Sequence, residues 1–235
     1  MSQWYAKTSG QVLAELDTNR TSGLSAKQAQ ERLDKYGPNK LEGAKRQSLA
    51  ARFLAQMRDP MIIVLLVAAV LSLLSSGGED WIEALIILVI VVVNACISIS
   101  QEDSAEKALE ALQKMSAPLA KVIRGGQQIR LETDALVPGD IIVLEAGDLV
   151  PADARILECA NLKADESAMT GESVPVNKQA DEVLPAETVL GDRSNMVISS
   201  TVITNGRAVC VVAGTGMSTE VGRIAGMLMG QDDTS

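Results

Sequence analysis

The sequence contains no histidine, and its three cysteines, Cys96, Cys159 and Cys210, lie far apart. No two of them form a Cys-x-x-Cys pair. A structural zinc site or a disulfide framework needs ligands in close or paired spacing, so we expect neither in this chain. We expect instead that the cysteines are buried and reduced, as in a cytosolic domain.

Aromatic residues make up only 2% of the chain, whereas hydrophobic residues make up 47%. The apolar content is therefore mostly aliphatic, which suits lipid-facing helices and β-sheet cores. Basic clusters are also missing from the second half, because residues 101–235 carry eleven Lys and Arg against twenty-one Asp and Glu. Binding to a phosphate backbone needs clustered Lys and Arg, so we expect no nucleic-acid partner.

Nucleotide-binding loops are lacking as well. Gly214-Thr215-Gly216 begins a GxGxxG pattern, but Thr219 stands where its last glycine would be, and no GxxxxGK[ST] motif occurs. We therefore interpret these glycines as a strand-to-helix turn. The sequence assigns no cofactor-binding or metal-ligating residue.

Two long apolar runs are present, at residues 61–74 and 81–99. A helix that crosses a bilayer needs about 20 apolar residues, and the second run is long enough. Three apolar residues extend the first run upstream at helical spacing, namely Phe53, Leu54 and Met57. They predict a tilted or kinked first helix. Residues 51–100 are thus predicted to form a transmembrane hairpin, since neither run has the polar face of a soluble core helix.

Basic residues lie before and after this hairpin but not in the turn between its two apolar runs. They are Lys45, Arg46, Arg52 and Arg58 before the first run, and Lys107 and Lys114 after the second. Residues 75–80, between the runs, carry no Lys or Arg. The positive-inside rule then places both termini in the cytoplasm, at the plasma membrane if the protein is bacterial. Glu83, near the start of the second run, either lines an ion path or is solvated at the interface.

The segments on either side of the hairpin are predicted to be helical. In residues 1–50, Ser25 and Gln28 form a capping box at the start of a helix. After the hairpin, residues 101–118 are predicted to form an amphipathic stalk helix. Its apolar stripe consists of Ala105, Ala108, Leu109 and Leu112.

Residues 119–235 have the pattern of a compact, mostly antiparallel β-domain followed by a helix, because β-branched runs alternate with turn residues. Gly125-Gly126 predicts one hairpin, and Asn205-Gly206 predicts a second hairpin with a type I′ turn. The predicted fold class is an α+β membrane protein, in which a two-helix transmembrane hairpin and a helical stalk carry the β-domain.

The stretch Thr170-Gly171-Glu172-Ser173 resembles the actuator-domain loop of P-type ATPases, the pumps that pass through an aspartyl-phosphate intermediate. Other motifs follow the order of that family: Gly23-Leu24-Ser25, Gln101-Glu102-Asp103-Ser104, Val137-Pro138-Gly139-Asp140, Gly147-Asp148-Leu149-Val150-Pro151-Ala152-Asp153 and Gly214-Thr215-Gly216. The likeness covers essentially the whole chain and points to the calcium-pump branch. It implies a β-rich actuator domain that rotates and brings Glu172 to the phosphorylated aspartate.

Hydrolysis of an aspartyl phosphate, a mixed anhydride, needs a water in line with phosphorus and a group that accepts a proton. By the resemblance, Glu172 positions or activates this water. Gly171 permits a sharp turn and a close approach to another domain, while Thr170 and Ser173 supply hydroxyls that fix the loop or bond to phosphate oxygens. These four residues are the candidate catalytic set. For the motif alone, an ordinary surface turn with a helix-capping threonine is the alternative.

The family's phosphorylation motif, Asp-Lys-Thr-Gly-Thr, does not occur in the sequence. Its nucleotide-binding domain and later membrane helices, which supply most ion ligands, also lack a counterpart. We therefore expect the N-terminal part of an ATP-driven cation transporter, with Ca²⁺ as the favoured cation. Its partners are then the phosphorylation, nucleotide-binding and transport-helix regions of the pump. ATP and Mg²⁺ are implied for the full-length pump, and no catalysis is expected from this chain alone.

Two other hypotheses remain open at this point. A stand-alone two-span membrane protein could use its acidic β-domain to bind or regulate a partner pump, because every element present is intact. A membrane-anchored β-domain with a chance Thr-Gly-Glu-Ser turn is the second, although chance would not place the other motifs in order.

Overall fold

The computed structural model describes residues 3–41, 48–75, 81–115 and 118–232. The chain divides into two compact units. One unit combines Met1–Gly43 with Ala117–Ser235, and the other is Ala44–Ser116. The N-terminal helices therefore share a unit with the β-rich segment, although the apolar helices separate the two in sequence.

The described residues form seven α-helices and seven strands. The helices are α1 (Ser9–Glu15), α2 (Ala26–Tyr36), α3 (Leu49–Gln56), α4 (Pro60–Ser75), α5 (Trp81–Met115), α6 (Ser167–Thr170) and α7 (Glu220–Asp232). The strands are β1 (Leu119–Arg124), β2 (Gln127–Glu132), β3 (Ile141–Glu145), β4 (Asp153–Asp165), β5 (Val176–Asn177), β6 (Met196–Val197) and β7 (Val202–Gly214).

The strands form one antiparallel sheet in the order β2-β1-β3-β7-β4-β5, and β6 pairs with β4. The two longest strands, β4 and β7, pair along their whole length. Their inward side chains build the core together with those of β3. The largest of these are Ile142, Leu144, Ile156, Leu162 and Ile203. Burial of each such side chain stabilises the fold by about 1.5–3 kcal/mol. The predicted antiparallel β-domain is confirmed.

The hairpin predicted at Gly125-Gly126 is present. β1 and β2 pair with Arg124 opposite Gln127, and the two glycines between them have φ angles of 57° and 77°. Positive φ at both turn positions is what a type I′ turn requires, and glycine adopts it without a steric penalty.

The prediction of a second hairpin at Asn205-Gly206 is wrong. β7 runs through these residues without turning and pairs with β4 on both sides of them. Gly206 does have a positive φ of 81°, but it uses it in a bulge, where the register against β4 shifts between Ala160 and Lys163. The Asn205 side chain donates to the carbonyl of Asn161 at 3.0 Å. Pairing with the long strand β4 provides more ladder hydrogen bonds than a short local hairpin would.

The N-terminal segment packs on the sheet through two apolar contacts. In α1, Val12 is fully buried against Ile141 and Val211 of the sheet. Just before and in α2, Leu24 and Ala29 are buried with Val137. Both helices begin with a capping box, Thr8 with Gln11 and Ser25 with Gln28, so the predicted cap is confirmed.

A buried arginine joins the N-terminal segment to the rest of this unit. Arg155, in β4, is 0% exposed and its guanidinium donates only to backbone carbonyls. Two of these bonds reach Lys7 O at 3.3 Å and Glu182 O at 2.9 Å. Burial lowers the pKa of Arg155. Carbonyl oxygens from several segments therefore replace the water that the cation loses on folding.

The second unit contains the apolar helices. α5 has 35 residues and is the one described helix that is long and apolar enough to cross a membrane. The candidate span lies within residues 85–109. α4 is also apolar but has 16 residues, fewer than a typical span. α5 continues from the second apolar run into the predicted stalk without a break. One candidate membrane helix is shown, and the second span remains a prediction.

The kink predicted in the first apolar helix is a full break between α3 and α4. α3 ends at Gln56, and Pro60 opens α4. Asp59 Oδ1 accepts a hydrogen bond from Met61 N at 2.8 Å. A residue that precedes proline avoids the helical region, and proline is favoured at the first helical position, so the chain restarts the helix here.

Several predictions concern residues that this structure does not describe. Lys45, Arg46 and the turn at residues 76–80 lie outside the described residues, as do the side chains of Glu83 and Lys114. The cysteine prediction holds only in part. The three thiols are free, but Cys210 is buried, Cys159 is half-buried and Cys96, in α5, is exposed.

Candidate active site

The candidate catalytic residues lie on a loop, residues 166–175, that closes the hairpin between β4 and β5. We call it the Thr170 loop. β5 pairs back onto β4 with Val176 opposite Ala164, so both ends of the loop leave the sheet at one edge. At the first end, Asp165 Oδ1 accepts from Ser167 N at 2.9 Å, and hydrogen bonds from Ser167 lower the pKa of Asp165. The sheet thus determines where the loop begins and ends.

Inside the loop, Thr170 and Gly171 form the turn. The Thr170 backbone N and Oγ1 both donate to Glu166 O, at 2.9 and 3.1 Å, and Thr170 Oγ1 accepts from Glu172 N at 3.3 Å. Gly171 ends α6 in the left-handed conformation, with φ of 77°. Thr170 is the last residue of α6 and Gly171 is its C-cap, so the Thr170 hydroxyl holds the turn without capping the helix. These hydrogen bonds engage the Thr170 hydroxyl but leave the Glu172 carboxylate unengaged.

The tip of the loop faces outward. Gly171, Glu172 and Ser173 are exposed, and so is Val174, at 74%. The Glu172 carboxylate and the Ser173 hydroxyl form no hydrogen bond or ion pair with any described residue. Both groups are therefore available to a substrate or to another domain. The structure brings the four predicted residues together, as their sequence adjacency requires.

Beneath the exposed tip lies a buried ion pair that the sequence analysis missed. Lys178 Nζ is 2.5 Å from Glu166 Oε1, and both side chains are 0% exposed. Desolvation raises the pKa of Glu166 and lowers the pKa of Lys178, and the opposite charge of the partner counters each shift. The sequence did hold a signal, because Leu162 and Ala164 alternate along the core face of β4 and Glu166 follows at the same spacing, one residue past the strand.

A second segment supports the loop from the side. The 3-10 turn Leu190–Asp192 packs against it, so that a Cβ on Gly191 would lie 3.3 Å from Thr170 Cγ2. The next residue, Arg193, accepts a hydrogen bond from Lys178 Nζ at its carbonyl oxygen. Its guanidinium donates to Glu220 Oε1 at 2.8 Å and lies 4.3 Å from the centre of the Tyr5 ring. The base of the loop is thus linked to α7 and to the N-terminal segment.

The other motif residues hold the unit together. Asp153 accepts from Ser199 N at 2.8 Å and from Glu220 N at 2.7 Å, so it caps α7, and burial raises its pKa to about 6. Asp140 Oδ2 accepts from Val137 N and from the guanidinium of Arg124. These carboxylates are committed to backbone and ion-pair contacts and are not candidates for proton transfer to a substrate.

Gly214-Thr215-Gly216 forms the turn from β7 to α7, as predicted. Gly216 has a φ of 52°, and its N donates to Asn39 Oδ1 at 2.8 Å. A Cβ at this position would lie 2.7 Å from Lys40 O. The glycine is therefore required by the close approach of the N-terminal segment and not by a nucleotide phosphate.

Within the described part of the chain, no group of three or more Asp, Glu or Cys side chains is arranged to hold a metal ion. The acidic residues of the β-rich unit are instead dispersed or paired with Lys and Arg.

Two family models match the chain. Residues 114–229 match the P-type ATPase actuator domain, and residues 4–72 match the cation transporter/ATPase N-terminus. The first match spans the sheet and the Thr170 loop. The second spans the N-terminal helices, α3 and most of α4.

Curated relatives agree with both matches. The chain is 45% identical over 241 aligned positions to calcium-transporting ATPase 1 of Bacillus cereus, an alignment that covers 99% of this chain and 26% of that protein. It is 43% identical to calcium-transporting ATPase lmo0841 of Listeria monocytogenes, over 95% of this chain and 25% of that protein. It is 42% identical to the calcium-transporting ATPase of Bacillus subtilis, over 92% and 24%. The chain thus spans about a quarter of the length of these relatives. It belongs to the P-type ATPase family and carries that family's cation-transporter N-terminus and actuator domain.

Proposed function

We propose that this chain works as the N-terminal part of an ATP-driven cation transporter, with Ca²⁺ as the cation, and that Glu172 promotes hydrolysis of the aspartyl-phosphate intermediate. One observation carries the catalytic proposal. Glu172 is an exposed carboxylate without a partner among the described residues, on a loop whose base is buried and paired. Calcium as the cation is supported by the names of the relatives.

The proposed step is an in-line displacement at phosphorus. A water oxygen forms a bond to phosphorus while the bond between phosphorus and the aspartyl oxygen breaks, which releases inorganic phosphate and the aspartate carboxylate. Glu172 accepts the proton that the water loses. Ser173 has a free hydroxyl that can donate to a phosphate oxygen, whereas the Thr170 hydroxyl holds the turn. Gly171 adds no side chain that would prevent close approach of another domain.

The remaining parts of the reaction are assigned to other regions of the pump. We propose that the phosphorylated aspartate and the sites for ATP and Mg²⁺ lie in those regions. ATP supplies the phosphoryl group and Mg²⁺ offsets its charge during transfer. The role of this chain is limited to dephosphorylation and to whatever motion brings Glu172 to the phosphate.

We also propose that α4 and α5 form a two-span hairpin, with both termini cytoplasmic and, in a bacterium, in the plasma membrane. α4 packs along α5, and its apolar side chains point outward around the helix. A helix of 16 residues is about 24 Å long, slightly less than the roughly 30 Å of a hydrocarbon core. Local thinning of the bilayer accommodates a span of this length at modest cost.

The catalytic proposal is tested in a chimera in which this chain replaces the matching segment of the Bacillus cereus relative. Glu172→Gln removes the proton acceptor but keeps the shape of the side chain. The phosphoenzyme should form at the unchanged rate and decay about 10²- to 10⁴-fold more slowly. Decay is measured by radiolabelled phosphate retained on the protein after an unlabelled ATP chase.

Glu187→Gln is the matched control, because Glu187 is exposed in the same unit and lies outside the Thr170 loop. It should leave both rates unchanged. If Glu172→Gln and Glu187→Gln decayed equally fast, the catalytic assignment of Glu172 would be wrong. An ordinary surface turn would then be the better interpretation of the motif.

A further inference from the structure

The buried pair of Glu166 and Lys178 has no part in the proposed proton transfer. Its two residues nevertheless lie at opposite ends of the Thr170 loop. Glu166 is the first residue of the Thr170 loop, and Lys178 lies just past β5 at its other end. Both side chains are fully buried, with Nζ and Oε1 2.5 Å apart. The pair is therefore a charged cross-link between the two ends of the loop.

Each partner is also tied to its surroundings through other atoms. The Glu166 carbonyl accepts from Met169 N and from Thr170 N and Oγ1, so the residue that holds the ion pair also organises the turn. Lys178 N donates to Leu162 O at 3.0 Å, and Lys178 Nζ donates to Arg193 O at 3.2 Å. Movement of either side chain would therefore be transmitted to the turn that presents Glu172.

The energetics of such a pair favour a positioning role over a stabilising one. Removing two charges from water costs much of what their attraction returns, and well-packed neutral side chains often stabilise a fold equally well. Here neither Glu166 carboxylate oxygen receives a hydrogen bond of regular geometry from the described residues, so the attraction is mainly electrostatic. What a neutral pair lacks is the charge attraction that holds the two ends of the loop close together.

We propose that the Glu166–Lys178 ion pair positions the Thr170 loop, so that Glu172 is held in the orientation needed for dephosphorylation. The kinetic consequence rests on the function proposed above. The ordering of the loop does not, and it can be measured in this chain alone. Glu166 and Lys178 are positioning residues, since they act through the turn and do not touch the phosphate.

The decisive variant is the double substitution Glu166→Gln with Lys178→Met, which removes both charges and keeps approximate side-chain volume. We expect the melting temperature of the full chain in detergent micelles to stay near that of the wild type. Amide hydrogen exchange in residues 166–175 should nevertheless become about tenfold faster, because the loop ends are no longer held in one arrangement. Either single substitution should lower the melting temperature, because it leaves one buried charge unpaired.

In the chimera, the same double variant should slow phosphoenzyme decay about 10- to 100-fold and leave phosphoenzyme formation unchanged, since small misplacement of a catalytic group has effects of this size. The control is Lys27→Met with Glu31→Gln, which removes an exposed i, i+4 pair in the same unit. It should change neither exchange in the loop nor decay.

Wild-type exchange rates in the double variant would overturn the proposal, because the pair would then be structural only. Faster exchange with wild-type decay would overturn the link to catalysis. A failure of the proposed function would look different. In that case Glu172→Gln itself would decay at the wild-type rate, while hydrogen exchange would still decide whether the pair orders the loop.

Discussion

The β-rich unit and the apolar helices are built from the same aliphatic residues, but they bury them to opposite extents. In the sheet, Ile142 and Ile156 are 1% and 0% exposed. In α4 and α5, Val64 and Ile90 are 67% and 55% exposed. Composition therefore does not separate a protein core from the exposed surface of an apolar helix. The spacing of polar residues does, because strands alternate them while a membrane helix is apolar all round.

The largest effect on stability should come from truncating a buried side chain of the sheet core. Ile156→Ala should lower the free energy of unfolding of the β-rich unit by about 2–5 kcal/mol, because it leaves a cavity in the sheet core. Ile90→Ala, the matched change on the exposed face of α5, should stay within about 0.5 kcal/mol. Denaturant unfolding of the chain in detergent micelles measures both. Equal losses would mean that α5 is packed like a soluble core helix.

Lysine substitutions sharpen the comparison from the other side and test the two-span hairpin. A lysine near the middle of a spanning helix costs about 2.5–3.5 kcal/mol on insertion scales. Val64→Lys in α4 and Ile90→Lys in α5 should therefore each reduce the inserted fraction in a translocon assay with glycosylation reporters. Val174→Lys, at an exposed position of the Thr170 loop, should insert normally. A loss at Ile90 alone would support one span and contradict the hairpin.

A smaller effect on stability is expected from Asp153, whose carboxyl group is buried in the β-rich unit. Its folded pKa of about 6 lies above the ordinary value of 3.8, so the folded state holds the proton more tightly than the unfolded state does. Stability contributed by this group should therefore rise as pH falls through about 6 towards 4, by on the order of 2 kcal/mol. Asp153→Asn should remove that dependence.

The measurement compares the unfolding free energies of the wild type and Asp153→Asn between pH 7 and pH 4.5. The difference isolates Asp153 from the other carboxylates, which titrate in both proteins. A difference that stayed constant with pH would show that capping hydrogen bonds from Ser199 and Glu220 fully offset the burial of the charge.

Local turn chemistry was predictable where no long strand competed for the backbone groups on both sides of the turn. Gly125-Gly126 forms the expected hairpin because β1 and β2 are adjacent in sequence and their backbone N–H and C=O groups pair with each other. Asn205-Gly206 carries the same local signal, yet β7 passes straight through it. The long strand β4 competes for the same backbone groups, and this competition is invisible in a short window of sequence.

The candidate site was predictable in its exposed part and not in its base. Four adjacent residues carry the motif and cannot be separated by folding, so Thr170, Gly171, Glu172 and Ser173 could be named in advance. Lys178 acquires its role only because β5 folds back on β4 and places it beside Glu166. A charged residue in a sequence is normally expected at the surface, so its burial becomes evident only when its partner is known.

The sequence by itself determined the strand-rich character of residues 119–235, the apolar helices, the capping box at Ser25 and the family that Thr170-Gly171-Glu172-Ser173 resembles, because each depends on residues that are close together in the chain. Only the tertiary structure decided which strands pair, that the N-terminal helices join the β-rich unit across the apolar segment, and that the Thr170 loop stands on a buried ion pair. These features depend on contacts between distant residues, whose energies outweigh local preference once the core has formed.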